Sequence, residues 1–256
     1  MKKIGFIIGI FIILAIYSVY IYFKNNTEIK VLKEYNSKGQ LIGTNEYIVR
    51  NYDTILNGKF IRYNDKGIKI SEGRFSNNDV FGNCYYYNDN GKLKDVHFRK
   101  NKKITLESTF YDINENIEKY VMCDNLGRAI FLIKYENKIV SKYNGYAIWP
   151  LKLFKLIRKK QIPIKGDTLN VGDKIKYNFL IANIPYSNRK LKIETIGVDN
   201  SKIKRIVNYI KPNEVVIEEV LLNKGLNRIR TIVQYKFKDK ETSIFNDTVT
   251  FDITVK

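Results

Sequence analysis

Apolar and polar residues alternate one for one along the last third of the chain. Ile175, Tyr177, Phe179 and Ile181 fall on one side of an extended segment. Ile229, Thr231, Val233, Tyr235 and Phe237 do the same against Arg228, Arg230, Gln234 and Lys236. Val249, Phe251, Ile253 and Val255 repeat the pattern against Thr250, Asp252, Thr254 and Lys256. A period of two is the signature of a strand with one face buried and one wet. Turn residues at Val171-Gly172-Asp173, Asn223-Lys224-Gly225 and Asp239-Lys240 divide this region into about seven strands, which predicts a β-sandwich over 163–256.

Between residues 34 and 146 the punctuation is denser. Lys38-Gly39, Tyr52-Asp53, Lys66-Gly67, Asn77-Asn78, Asn90-Gly91, Asn101, Glu115-Asn116, Leu126-Gly127 and Asn137 follow one another at short, nearly regular steps. Gly and Asn tolerate the positive φ of tight hairpins, so the expected product is an antiparallel meander of short strands. Within it the spacing Gly, four residues, Tyr, three residues, Gly occurs at Gly58-Tyr63-Gly67 and again at Gly82-Tyr87-Gly91, one 24-residue period later. In Asn83-Cys84-Tyr85-Tyr86-Tyr87, alternation sends Tyr85 and Tyr87 one way and Cys84 and Tyr86 the other. Aromatics on both faces suit a single-layer sheet held by cross-strand ladders better than a sandwich wall. Tyr63, Tyr85 and Tyr87 are therefore candidate ladder rungs or, alternatively, aromatic platforms for an extended partner or glycan.

The two Gly-x4-Tyr-x3-Gly units, the second followed by Lys92-Leu93-Lys94, resemble the bacterial variant of the MORN repeat. That resemblance implies a long meandering sheet, and proteins of this kind are commonly labelled antitoxin components. The neighbouring units depart from the pattern: Lys30 stands in the Gly place before Tyr35 and Gly39, and Tyr111 is flanked by Leu106 and Glu115. The segments NVGDKIKYNFLIAN and NKGLNRIRTIVQYKF are similar to parts of immunoglobulin-like domains of bacterial envelope proteins.

Between the two β regions the pattern changes at WPLKLFKLIRKK, 149–160. Leu151, Leu153, Phe154, Leu156 and Ile157 gather on one side of a helical wheel, with Lys152, Lys155, Arg158 and Lys159 largely on the other, and Pro150 suits a first helical turn. A basic amphipathic linker helix is expected. Its four cations are candidate contacts to anionic lipid or a partner, and the alternative is that its apolar stripe packs on neighbouring sheets.

The chain opens with a different texture. Ile4 to Phe23 is a run of 20 residues without a charge, long enough as a helix to span about 30 Å of hydrocarbon. Residues 1–24 are read as an uncleaved membrane anchor, since only Ile16-Tyr17-Ser18 vaguely offers the small residues of a signal-peptide cut. Lys2 and Lys3 before the span are matched by Lys24, Lys30 and Lys33 after it, so orientation rests on the habit of a short basic tail to stay in the cytoplasm. The folded part is then expected outside the cytoplasm. The formal charge of +19 would suit an acidic envelope polymer, anionic lipid or nucleic acid, and the concentration of lysines at 2–3 and 152–160 makes nucleic acid the least favoured of the three.

Candidate chemistry is sparse. His97 is the only histidine and sits in a strand-like KDVHFRK. Cys84 and Cys123 fall on non-adjacent strands of the expected meander and read as two buried thiols. Glu218-Glu219 point to opposite faces of a strand and cannot act as a dyad. No CxxC, phosphate loop or HExxH occurs. The expectation is an all-β, non-enzymatic, membrane-anchored envelope protein, without cofactor or metal, that binds a protein or an envelope polymer. Neutralisation of a toxic partner, and an enzyme built on carboxylates distant in sequence, are the alternatives.

Overall fold

The computed structural model describes residues 14–18, 28–158, 160–164, 169–239 and 241–256. The expected membrane span at 4–23 lies outside these residues apart from helical positions 14–18, and among the described residues no helix is long and apolar enough to cross a membrane.

The first strands are β1 (Lys30–Tyr35), β2 (Leu41–Arg50), β3 (Asp53–Tyr63), β4 (Lys69–Ser76), the two-residue β5 (Asp79–Val80), β6 (Gly82–Tyr87), β7 (Leu93–Arg99), β8 (Thr105–Tyr111), β9 (Ile117–Cys123), β10 (Ala129–Glu136) and β11 (Ile139–Gly145). They hydrogen-bond in chain order, except that β6 follows β4 directly while β5 pairs with β4 alone. This is an antiparallel meander, and it begins at Lys30, a few residues before the sequence pattern does.

One turn recurs through the meander. At Asn64 the side-chain Oδ1 accepts from the backbone N–H of Lys66 and of Ile68, both at 3.0 Å, while Gly67 N–H donates to the Asn64 carbonyl at 2.9 Å. The fourth residue of the turn, Gly67, has φ of 73°. Asn36 with Gly39, Asn88 with Gly91, Asp112 with Glu115 and Asp124 with Gly127 repeat the backbone bonds and the positive φ. Glu115, which departs from the Gly pattern in sequence, takes φ of 62° in the same place. The short Asx side chain supplies the bonds that the reversing backbone lacks, which is why Asn or Asp leads each turn. Three other hairpins close on two residues with positive φ, Asn51-Tyr52, Asn77-Asn78 and Asn137-Lys138, as type I′ turns require. The repeated tyrosine has its own reason: pairing shifts register between Arg62 and Tyr63, as it does at Glu34/Tyr35 and Phe110/Tyr111. Tyr63, Tyr35 and Tyr111 each pair just beyond a bulge, one step before the turn, Tyr63 with Lys69.

Two compact units divide inside β7. The first comprises residues up to Leu93 with Phe98–Lys102, and the second Lys94–His97 with Lys103–Lys256. Among its described side chains the first unit buries only Asn45, Ile48, Phe60 and Cys84. Gly73 is required in it by contact: a Cβ there would lie 2.8 Å from Cys84 Sγ and from the Phe60 ring.

The second unit adds β12 (Ile148–Ile157), β13 (Lys160–Pro163), β14 (Lys174–Ile181), β15 (Ser187–Thr195), β16 (Arg205–Lys211), β17 (Glu214–Val220), β18 (Gly225–Phe237) and β19 (Phe245–Val255). One antiparallel sheet runs β13-β12-β14-β17-β16 and the other β15-β18-β19. The alternating faces read from the sequence point inward: Ile175, Tyr177, Phe179, Ile229, Val233 and Tyr235 are all buried, and Tyr177 meets Phe251 across the sheets at 5.1 Å. Strands β9 and β10 contribute Tyr120, Phe131, Ile133 and Tyr135 to the same core, and Phe131 stacks on Phe245 at 5.9 Å. The end of the meander and the C-terminal sheets are thus one packed body, and the repeat stretch 34–146 is shared between the two units.

The expected linker helix at 149–160 is not formed. Residues Ile148–Ile157 are strand β12, paired with β14 from Ile148↔Ile181 to Leu156↔Lys174, and Lys160–Pro163 returns as β13. With only Lys152 and Lys155 as charged residues among ten, the segment fixes neither a period of two nor one of 3.6, and a lone three-turn helix has little stability of its own. Strand β14 offers a full hydrogen-bonding edge instead, and a register shift between Pro150 and Lys152 absorbs the residue that has no N–H.

Two buried polar clusters complete the second unit. Glu107 accepts from Tyr120 Oη at 2.5 Å and from the Asn183 backbone N–H at 3.1 Å. Burial drives its carboxyl up to about 7, against the opposing hydrogen bonds of Tyr120 and Asn183. Glu219 accepts from Arg205 Nε at 2.5 Å and Tyr177 Oη at 3.3 Å, while its neighbour Glu218 turns to the other face.

Candidate functional site

A groove of about 730 Å³ opens in the first unit where β4 parts from β6. The two strands pair only at Ser71↔Tyr86 and Glu72↔Tyr85, after which β4 turns to β5 through Phe75↔Val80 and Ser76↔Asp79. The gap left between Gly73–Ser76 and Phe81–Asn83 is bridged by one backbone bond, Phe81 N–H to the Arg74 carbonyl at 3.0 Å. Exposed Phe81, half-buried Tyr85, and the cations Lys59 and Arg74 line it together with Glu72.

The electrostatics centre on Glu72. Lys59 Nζ lies 2.8 Å from one carboxylate oxygen, while Lys69 Nζ at 2.7 Å and Tyr87 Oη at 2.6 Å both donate to the other. Lys69 Nζ also sits 4.3 Å over the Tyr87 ring. Burial raises the Glu72 carboxyl, but the hydrogen bonds from Lys59, Lys69 and Tyr87 outweigh it and set the group at about 2. The bond to Glu72 holds the Lys69 ammonium up, and burial followed by the Glu72 bond does the same for the Tyr87 phenol. Glu72 is thus a fixed anion engaged by three donors. It positions cations and a tyrosine around the groove and holds no proton to exchange at neutral pH.

Of the residues singled out from sequence, Tyr85 lines the groove and Tyr87 borders it through Glu72. Tyr63 ends β3 as the cross-strand partner of Lys69. The basic residues belong to the second unit. Lys152 is exposed on β12, Lys155 is held in an ion pair with Asp173 at 2.6 Å, Arg158 follows the strand with φ of 45°, and Lys159 lies outside the described residues. His97 Nδ1 sits 2.7 Å from Ser108 Oγ, a strand contact, and Cys84 and Cys123 are free and buried. Among the described residues no group of His, Cys, Asp and Glu is placed to hold a metal ion.

The groove residues missed in sequence are Lys59, Glu72, Arg74 and Phe81. Their convergence depends on cross-strand register and on the short β5, which the spacing of turns does not specify. The only signal in sequence was that Lys59 and Lys69 precede Glu72 in the adjoining expected strands.

No protein-family model matches the chain, and no curated protein does. Among solved structures, the crystal structure of domains 4 and 5 of the S-layer protein SbsC is similar to it over 90% of this chain and 98% of that one, at 11% identity and a TM-score of 0.24.

Proposed function

We propose that this chain is a non-enzymatic envelope protein, anchored by residues 4–23 with its folded part outside the cytoplasm, and that the groove between β4 and β6 binds an extended protein or envelope polymer. One observation carries the reading: an aromatic edge of exposed Phe81 and half-buried Tyr85 is set beside Arg74 in an open cleft whose carboxylate, Glu72, is already engaged by Lys59, Lys69 and Tyr87. Such a cleft offers stacking surface and the Arg74 guanidinium to a ligand, and its Glu72 carboxylate, held at low pKa, is no general acid near neutrality. Its open form suits a chain laid across it rather than a small molecule enclosed within it. The uncharged run at 4–23 and the basic balance of the chain support a place at a membrane facing an acidic partner.

The test is co-sedimentation of the detergent-solubilised full chain with purified cell-wall sacculi, alongside a pull-down from solubilised membranes. Tyr85→Ala and Arg74→Ala should melt as the parent does and lose about tenfold in retention, the effect of about 1.4 kcal/mol of lost contact. Retention unchanged in both variants would overturn the groove as the binding site. A reporter fused after Lys256 that is active only in the cytoplasm would overturn the placement.

A further inference from the structure

Strand β16, Arg-Ile-Val-Asn-Tyr-Ile-Lys, is the outer strand of the five-stranded sheet and among the described residues is paired on one side only, to β17. Five consecutive residues, Ile206 to Ile210, are exposed, including Ile206 at 57%, Tyr209 at 59% and Ile210 at 58%. An edge of this kind exposes unpaired N–H and C=O groups and apolar side chains on both faces, and folded proteins ordinarily cover such edges or charge them. Here the strand's own charges stand only at its ends, each already neutralised within the chain, while Arg189 of β15 lies 5.8 Å over the Tyr209 ring. Arg205 is bonded to Glu219, and Lys211 Nζ lies 3.3 Å from Glu214.

The sequence of the strand is close to symmetric about Asn208. Laid antiparallel on a second copy of itself with Asn208 opposite Asn208, it sets Val207 against Tyr209 on each side and, beyond them, Ile206 against Ile210, the residue at which β16 shifts register on β17. Every flanking pair is apolar, and the central pair can bond amide to amide. On the face shared with buried Ile217 and Val215, Val207 and Tyr209 prolong the apolar row to the rim of the sheet, where a further strand would cover them. The end pairs set Arg205 against Lys211, a repulsion that the intrachain Glu219 and Glu214 offset. We infer that β16 is a self-association edge, through which two copies of this chain join their five-stranded sheets by two-fold antiparallel pairing centred on Asn208.

Site-directed cross-linking of the full chain in its membranes tests this. Opposed residues of an antiparallel pair have Cα atoms about 4.5–5.5 Å apart, inside the range a disulfide bridges. Asn208→Cys should therefore give a dimer on mild oxidation at least tenfold faster than the exposed control Lys152→Cys. Ile206→Cys alone should not, since two copies of residue 206 would lie about 13 Å apart, whereas Ile206→Cys combined with Ile210→Cys should. Adding Val207→Lys and Tyr209→Lys to Asn208→Cys should reduce the dimer about tenfold. If those lysines unfold the chain, the contrast between the single and the paired 206 and 210 cysteines decides. Equal rates for Asn208→Cys and Lys152→Cys would overturn the inference. So would equal cross-linking by Ile206→Cys alone and by the pair, or a disulfide adduct of Asn208→Cys with a protein of different mass.

Discussion

Tyr87 donates its phenolic hydrogen to Glu72 at 2.6 Å, and this bond ties the repeated tyrosine of the second motif to β4, its neighbour in the sheet. Removing only the hydroxyl, with Tyr87→Phe, should cost about 1 kcal/mol, and Glu72→Gln should cost more because Lys59 and Lys69 lose their anion together. The carboxyl is depressed from 4.5 to about 2. Its contribution is therefore full above the unfolded value and fades as the pH falls from about 4.5 toward 2. Urea melts across that window should show the parent and Glu72→Gln converging as the acid protonates.

Gly73 and Gly67 serve different needs and should respond differently. Gly73→Val drives a branched side chain into Cys84 and the Phe60 ring, so a loss of about 2–3 kcal/mol is expected. Gly67→Ala meets open space and pays only for its φ of 73°, about 1–2 kcal/mol. Thermal melts of the two variants separate packing from backbone strain, and an equal loss would refute the distinction.

The turns were legible in the sequence because they depend on single residues. Asn and Gly announce positive φ wherever they fall between apolar runs, and the nine turn signals from Lys38-Gly39 to Asn137 lie at or beside the reversals between strands. The inward faces of β14, β18 and β19 were legible for the same local reason. What the chain could not declare was anything settled by a distant partner. Leu151 to Ile157 becomes strand because β14 lies beside it. Tyr120 and Phe131, two ordinary meander residues by pattern, enter the core because Phe245 and the sheet bearing it reach them. The groove exists because β4 changes partners after Glu72, an event of register that leaves no periodic mark.

Glu107 should make the second unit less stable as the pH rises. Its carboxyl titrates near 7 when folded and near 4.5 when unfolded, so between those values the unfolded chain has already lost the proton that the folded chain keeps. Stability is full below about 4.5 and declines toward 7 by on the order of 3 kcal/mol. Glu107→Gln keeps an acceptor for Tyr120 and Asn183 without the buried charge. Melts at pH 5 and pH 8 should differ for the parent and coincide for the variant; a parallel fall in both would place the effect elsewhere.

Arg205 and Glu219 form a pair in which the carboxylate side chain is only 2% exposed. Arg205→Ala strands that carboxylate in the core and should cost about 3–5 kcal/mol, whereas replacing both residues with apolar ones of similar size should cost far less. A double-mutant cycle in denaturant measures the difference. Additive losses would mean that the two side chains do not act as a pair.

Because Asn64 and Asn88 open the same turn 24 residues apart, the segment from Asn64 to Tyr87 can be excised with Tyr63 joined directly to Asn88, and the new junction spells the same turn. The segment carries a complete there-and-back excursion of the chain, so its loss leaves the next strand running in its original direction with its original face outward. A gene encoding such a sheet can therefore change length by unequal crossing-over in frame, gaining or losing 24 codons at a time. A breakpoint shifted by one codon would invert every side chain beyond it.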